Sequence, residues 1–584
     1  MSYPNNHHEQ PKSLASGAKT AFTASLNTFV HHVKRHVGIG IICSIAYFDP
    51  GNWSVDLQAG SDFGYRPMLF VILMAGLGAI VLQALACKLG CVTGLDLASH
   101  CRLLLHNHPR HPKLVRRMAL YPLYVLSEIA IISTDLAELL GSAIGFCLLF
   151  PKLPLWAGVV LTAADVLIFL SFTDPSRGQG RPVRMFEYTI IGLVLAVFGC
   201  FIALLVKAQP DWPAVFMGYI PNKGLFQSEP DAVYAAVGIL GATVMPHALF
   251  LGSSLATQDR VTDPLPEERL PTPTTNQNTT FQGKAKQVVW RLFRLSRAER
   301  VSSSIDYRSK YGERENNPYA FVKQHLSHGI ADVTASLIAL AVPINSAILI
   351  LAATVFYNAD NRNHDSPAGL FEAHDLIKQR LGDGAALIFA LALVCAGQTS
   401  SITVTLAGQI VSEGFIEWKM SASRACCFEP FLRRLITRCI SLVPSVVVAV
   451  AVGRSGLNTL LVASQVVLSI VLPFVAFPLI YLTSTEIVMQ VRKPQPVEST
   501  HSSEGLAPGE GDVSNADCEK PTDDEKHRTE IKIVERIEEL QVITRKTDMI
   551  DYSNGRILTA LACAIWCVVL VANAYAIVML FIKG

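Results

Sequence analysis

Long apolar runs separated by short polar ones dominate the chain and predict membrane-spanning helices, which need about 20 consecutive apolar residues each. The pattern gives eleven spans, at about 36–63, 67–89, 118–148, 154–173, 185–207, 230–257, 327–356, 384–415, 435–453, 458–483 and 556–582. Two of them are interrupted. Asp49-Pro50-Gly51-Asn52 sits inside the first run, and Gly241-Ala242-Thr243-Val244-Met245-Pro246-His247 inside the sixth. Proline breaks the helical hydrogen-bond ladder. Broken backbone at membrane depth is tolerated only where protein buries it or where it lines a polar cavity. Paired interruptions in corresponding halves point to a transporter site at a repeat interface.

Composition agrees with that picture. The chain is 51% hydrophobic and 16% charged, against roughly 25% charged for a soluble domain. A net charge of +2 gives no sign of a nucleic-acid partner. Most of the thirteen cysteines lie in apolar runs, and the odd count implies no disulfide framework. Cys426-Cys427 is a loop pair, with adjacent thiols poorly placed to chelate alone. Residues 1–35 lack the features of a cleavable signal peptide. Basic residues cluster in the loops 90–117 (Arg102, Arg110, Lys113, Arg116, Arg117), 174–184 (Arg177, Arg181, Arg184) and 416–434 (Lys419, Arg424, Arg433, Arg434). By the positive-inside rule these loops and the N-terminus are cytosolic, and Gly584 lies outside or in a lumen.

The chain then divides into an N-terminal tail (1–35), the first repeat with the sixth span (36–257), a cytosolic insert (258–326), spans seven to ten (327–484), a cytosolic linker (485–555) and an eleventh span (556–584). The insert is Pro/Thr-rich at first. It then becomes basic, with Lys284, Lys286, Arg291, Arg294, Arg297 and Arg300 interleaved with Trp290, Leu292, Phe293 and Leu295. That fits a segment lying on an anionic leaflet or a solvated linker equally well. Residues 493–527 have the composition of a disordered segment, and Ile531, Val534, Ile537 and Leu540 recur at helical spacing. The insert and tails are the places for regulatory partners.

Ionisable side chains in membrane spans are costly and default to functional hypotheses. Asp49 is a candidate ion ligand, and Asp before Pro is also a good helix cap. Glu128, Asp135 and Glu138 fall on one face of the third span and read as a proton path or hydrated wall. Met245 beside Pro246 offers a thioether, which favours transition metals over Ca²⁺ and Mg²⁺, though Met also fills apolar gaps. His247 is a ligand or proton-acceptor candidate. Gln465 can add an amide oxygen. Arg438, in the ninth span, needs an acidic partner, and the carboxylate face is the one available.

Asp-Pro-Gly-Asn in the first span and Met-Pro-His in the sixth resemble the Nramp (natural resistance-associated macrophage protein) metal transporters. Gly397 to Gln409 (GQTSSITVTLAGQ) resembles the family's transport signature, and Ser464 to Ser469 and Thr93 to Ala98 also fit. The resemblance covers about 36–484 apart from the insert. It implies an all-α membrane protein with a LeuT-like fold: five plus five inverted-repeat spans, broken helices one and six, and an eleventh span. It implies proton-coupled import of Mn²⁺, Fe²⁺ and related ions, with no resident cofactor and no enzymatic activity. It also implies that the metal is held by Asp49, Asn52, Met245 and the carbonyls of Ala46 and Ala242, joined in some states by Gln465. Proton handling falls to Asp49, His247, Glu128, Asp135, Glu138 and Arg438. One position departs from the pattern: many members have a second His five residues after the first, and here it is Gly252. The long insert and the Met-Pro-His-Ala-Leu-Phe-Leu-Gly run resemble fungal members, and the plasma membrane or an endosomal or vacuolar membrane is the expected location. The competing readings are a LeuT-fold symporter for an organic solute, which Asp49 and Met245 argue against, and a non-transporting metal sensor.

Overall fold

The computed structural model describes residues 39–172, 181–227, 231–259, 316–357, 369–416, 429–451, 454–493 and 549–583. Among them, eight helices are long and apolar enough to cross a membrane: Met68–Thr93, Pro112–Leu149, Tyr188–Ala208, Ala232–Leu255, Tyr319–Tyr357, Asp383–Ile416, Gly456–Ser484 and Arg556–Met579. The shorter apolar helices Leu155–Phe169 and Arg438–Ala451, together with the broken first run, supply the other three expected spans. The protein is a multi-pass membrane protein.

Burial orders these helices from centre to rim. The sixth span, Ala232–Leu255, is 83% buried over its apolar window, and the eleventh, Arg556–Met579, only 17%. A helix apolar on every side and buried by its neighbours belongs to the core; one left open on most sides faces lipid. The two interrupted spans therefore lie where water and lipid are both excluded. The first consists of Ile39–Ile45 and Pro50–Phe63, with residues 46–49 unwound between them. The sixth consists of Ala232–Thr243 and Pro246–Leu255. The half-helix Pro50–Phe63 packs against Ala232–Thr243, the seventh span and the tenth.

Other elements depart from the sequence reading. The basic loop 90–117 contains a helix, Leu97–His106, whose start is capped by Asp96 accepting the Ser99 N–H at 2.9 Å. The preceding span stops at Gly94, whose left-handed φ of 66° closes the helix end. The seventh span begins at Tyr319 rather than 327, so the insert ends earlier than its composition suggested. Within that span Leu337–Ala341 forms a wide π turn just before Pro343, which absorbs the missing N–H and the ring clash.

The all-α expectation misses one small sheet. Gln490–Arg492 pairs antiparallel with Met549–Asp551, so both edges of the 485–555 linker are ordered. Asn316 donates to the carbonyls of Val488 and Gln490, at 2.8 Å each, and Lys88 to Asn554 at 2.9 Å. The basic part of the insert, the Ile531–Leu540 pattern and Cys426-Cys427 lie outside the described residues.

Candidate metal site

The first break is built by side chains that replace the lost helical hydrogen bonds. Asp49 caps Pro50–Phe63, its Oδ1 accepting the Asn52 N–H at 2.8 Å, with Pro50 at the first helical position. Its Oδ2 is buried without a hydrogen-bond partner, so capping leaves one carboxylate oxygen free. Asn52 donates its amide to the Tyr47 carbonyl at 2.5 Å, and Asn345 of the seventh span donates to the same carbonyl at 2.6 Å. Both Asn Oδ1 atoms are left buried and unpaired. Trp53 donates its indole N–H to the Phe48 carbonyl at 3.1 Å and packs edge-on against Phe201.

Two backbone acceptors follow from the prolines. In a continuous helix the Ala46 carbonyl would accept from residue 50, and the Ala242 carbonyl from residue 246. Both positions are proline and have no N–H to give. Each break thus frees one carbonyl oxygen within the buried core.

Gln465 lies between the breaks. Its amide nitrogen is 1.8 Å from where a Cβ on Gly51 would stand, and the Asp49 Oδ2 is 3.3 Å from the same point. On the other side its backbone oxygen is 2.1 Å from where a Cβ on Gly241 would stand. Only glycine at both positions lets the tenth span close on the two half-helices. The Gln465 Oε1 is buried and unpartnered.

Met245 is fully buried and occupies the cap position of Pro246–Leu255 without a side-chain capping bond. His247 follows on the first turn, its Nδ1 3.5 Å from Thr134 Oγ1 and its Nε2 buried and unpartnered. Four of the buried side-chain atoms without a hydrogen-bond partner lie at or between the two breaks: Asp49 Oδ2, Asn52 Oδ1, Gln465 Oε1 and His247 Nε2. Among the described residues no group of three or more His, Cys, Asp or Glu is placed to hold a metal. The donor set is instead one carboxylate, neutral oxygens and a thioether.

The acidic face of Tyr121–Leu149 divides into three environments. Asp135 accepts from Arg438, whose other Nη donates to Ser401 of the helix Asp383–Ile416. Glu138 is buried beside Ser400 and within electrostatic reach of Asp49, Asp135 and Arg438. Glu128 is half-buried beside Tyr124. Sequence reasoning missed Asn345, Gln83 and Asp56, all buried. The rule that flags ionisable groups in apolar spans would have found Asp56, whereas Asn345 and Gln83 are neutral amides in otherwise apolar runs.

The profile of the Nramp family (Natural resistance-associated macrophage protein-like) matches residues 40–500. The manganese transporter pdt1 of Schizosaccharomyces pombe is 38% identical over 83% of this chain and 82% of its own length. The iron transporter SMF3 of Saccharomyces cerevisiae is 34% identical over 93% of this chain and 95% of its own. A crystal structure of a manganese transporter from Eremococcus coleocola superposes with a TM-score of 0.60 at 25% identity, covering 92% of this chain and 85% of that one. With that extent of match, and two broken helices packed around Gln465, the chain belongs to the Nramp family and has its LeuT-like fold of five plus five spans with an eleventh added.

Proposed function

We propose that this protein is a proton-coupled secondary transporter that imports divalent transition metal ions, Mn²⁺ and Fe²⁺ among them, into the cytosol. The observation that supports this reading is the donor set at the two breaks: one carboxylate oxygen free of its cap, the amide oxygens of Asn52 and Gln465, the carbonyls of Ala46 and Ala242, and the Met245 thioether. A divalent ion in a low-dielectric site needs formal negative charge nearby, and Asp49 supplies it. Opposing half-helices with unwound backbone between them suit alternating access around a fixed site. Relatives named as manganese, iron and divalent metal cation transporters support the same cargo. The direct test is uptake of Mn²⁺ into vesicles containing the purified protein under an inward proton gradient. Metal accumulation with concurrent proton influx is expected; vesicles no more permeable to Mn²⁺ than protein-free ones would end the reading.

The proton path in this proposal runs from Asp49 and His247 to Glu138, and then along Asp135, Arg438 and Glu128. Collapsing the pH gradient while keeping the metal gradient separates coupled from uncoupled uptake.

Selectivity rests on Met245. An all-oxygen site suits Ca²⁺ and Mg²⁺, which prefer oxygen ligands. The thioether fills a coordination position that a hard ion uses poorly. A preference of about 1.4 kcal/mol already gives tenfold discrimination. Met245→Ala is expected to keep substantial Mn²⁺ uptake, lose more Cd²⁺ uptake, and become sensitive to competition by excess Ca²⁺. A variant no more sensitive to Ca²⁺ than the parent would return Met245 to a packing role.

The N-terminus and the basic loops face the cytosol in this scheme, in the plasma membrane or an endosomal or vacuolar one. A glycosylation tag fused after Gly584 should be modified, while the acceptor sequence Asn278-Thr279-Thr280 in the insert should not be; the reverse pattern would invert the topology.

A further inference from the structure

The eleventh span is mostly open, yet one seam of it is closed. Ala562, Val569, Asn573 and Ala576 are buried, and with half-buried Trp566 they recur at the helical spacing that puts them on one face, packed against the tenth span. A primary amide among these apolar side chains is costly unless its hydrogen bonds are made. Asn573 donates to the Ser469 carbonyl of the tenth span at 2.6 Å, and Trp566 donates its indole N–H to the Pro473 carbonyl at 2.9 Å. A proline explains the first of these bonds. Pro473 stands inside the tenth span and has no N–H, so the Ser469 carbonyl, one turn before it, lacks its helical donor. In hydrocarbon only another protein group can replace that donor, and Asn573 does so from a neighbouring helix.

Ser469 is also where the tenth span meets the sixth. A Cβ on Gly241 would stand 2.1 Å from the Gln465 backbone oxygen, 2.7 Å from Ser469 Cβ and 2.8 Å from the Ser469 nitrogen. The turn from Gln465 to Ser469 therefore presses on Gly241, next to Ala242. The eleventh span packs against Ala232–Thr243 as well. One side of the turn abuts the first half of the sixth span, and Asn573 holds the carbonyl at its end.

We propose that Asn573 is a positioning residue for metal binding. It satisfies the carbonyl orphaned by Pro473, fixes the turn from Gln465 to Ser469, and so places the Gln465 amide oxygen at the two breaks. This rests on the ligand set proposed above, in which Gln465 is a donor, and adds to it a residue from a span that supplies no ligand. Without the Asn573 donor, the Ser469 carbonyl must find another partner. The helix can supply one only by rewinding near Pro473, which turns Gln465 away from Asp49 and Asn52.

The test is equilibrium binding of Mn²⁺ to the purified full-length protein. Asn573→Leu keeps the side-chain bulk and removes the donor. It is expected to raise the Kd for Mn²⁺ about fivefold, the worth of one ordinary hydrogen bond. In a Gln465→Ala background the same substitution should change Kd by less than about twofold, because the ligand it positions is gone. Pro473→Ala gives the tenth span its own N–H for the Ser469 carbonyl, and Asn573→Leu in that background should also change Kd by less than about twofold. Trp566→Phe removes only the donor to Pro473 and carries the test should Asn573→Leu not fold; it is expected to raise Kd about twofold, and only while Gln465 is present. A purely structural role for Asn573 predicts a lower melting temperature with the parent Kd. That result, or the same factor in Kd with and without Gln465, would overturn the proposal. Mn²⁺ uptake by vesicles of the parent is measured alongside. A parent that binds Mn²⁺ but does not move it defeats the transport reading and leaves the Kd comparison to decide this one. A parent that neither binds nor moves Mn²⁺ defeats both.

Discussion

Asp49→Asn is expected to reduce Mn²⁺ uptake by at least about 100-fold while leaving the protein folded and delivered to its membrane. The prediction separates the two duties of this residue. As a cap, Asp49 gives one oxygen to the Asn52 N–H, and asparagine performs that task about as well. As a ligand it offers the second, unpartnered oxygen with formal charge, and asparagine removes the charge. A unit-charge pair at about 4 Å and an effective dielectric of about 20 is worth about 4 kcal/mol. Each 1.4 kcal/mol is tenfold in affinity, so loss of charge opposite a divalent ion outweighs anything the neutral oxygens retain. The measurement is radiotracer uptake into vesicles, with thermal melting of the purified variant as the control. Uptake at the parent rate with an unchanged melt would remove Asp49 from the site and leave it a helix cap.

The second large effect is expected at the Arg438–Asp135 pair. Both side chains are almost wholly enclosed, at 1% and 4% exposure. Removing one member of a buried pair leaves the other as an uncompensated charge and costs roughly 3–5 kcal/mol. Arg438→Leu should therefore lower the melting temperature sharply and abolish uptake, since it strands Asp135 and removes the cation nearest Glu138. Adding Asp135→Asn should recover a good part of the melting temperature without recovering uptake. Ser401 makes the arrangement tighter, because from the helix Asp383–Ile416 it takes a second guanidinium N–H. Should the two substitutions simply add in their effect on melting, the pair would not be the unit that anchors the ninth span to the third and eighth.

Much of this was legible in the sequence because a membrane protein writes its architecture in one dimension. Apolar runs gave the spans, and a proline inside two of them gave the breaks. Arg438 announced its need for a carboxylate by lying inside a span. What was not legible depended on where chain segments meet. Gly252 read as the loss of a functional residue, and the side chain packed against it, Gln83, belongs to another span with no local pattern to flag it. Asn345 was hidden in an ordinary apolar run, and its importance lies in a carbonyl almost three hundred residues away. The helix Leu97–His106 was missed because it is short and lies in a polar, basic stretch that resembles a loop by composition. The Gln490–Arg492 and Met549–Asp551 pairing joins strands far apart in the chain and too short for an alternating pattern to mark them.

The prolines at the breaks have a consequence for anyone reading genetic variation in this chain. Two of the proposed ligands belong to Ala46 and Ala242, whose side chains contribute nothing but a methyl group. An alanine scan passes over both positions without making a change, and most replacements there alter packing while leaving the oxygen in place. The oxygen is available because the residue four places on has no hydrogen to offer it. Harmful variants affecting these two ligands should therefore map to Pro50 and Pro246. Almost any replacement at those positions restores an N–H and lets the helix run on, withdrawing a ligand contributed by a residue whose own codon is unaltered.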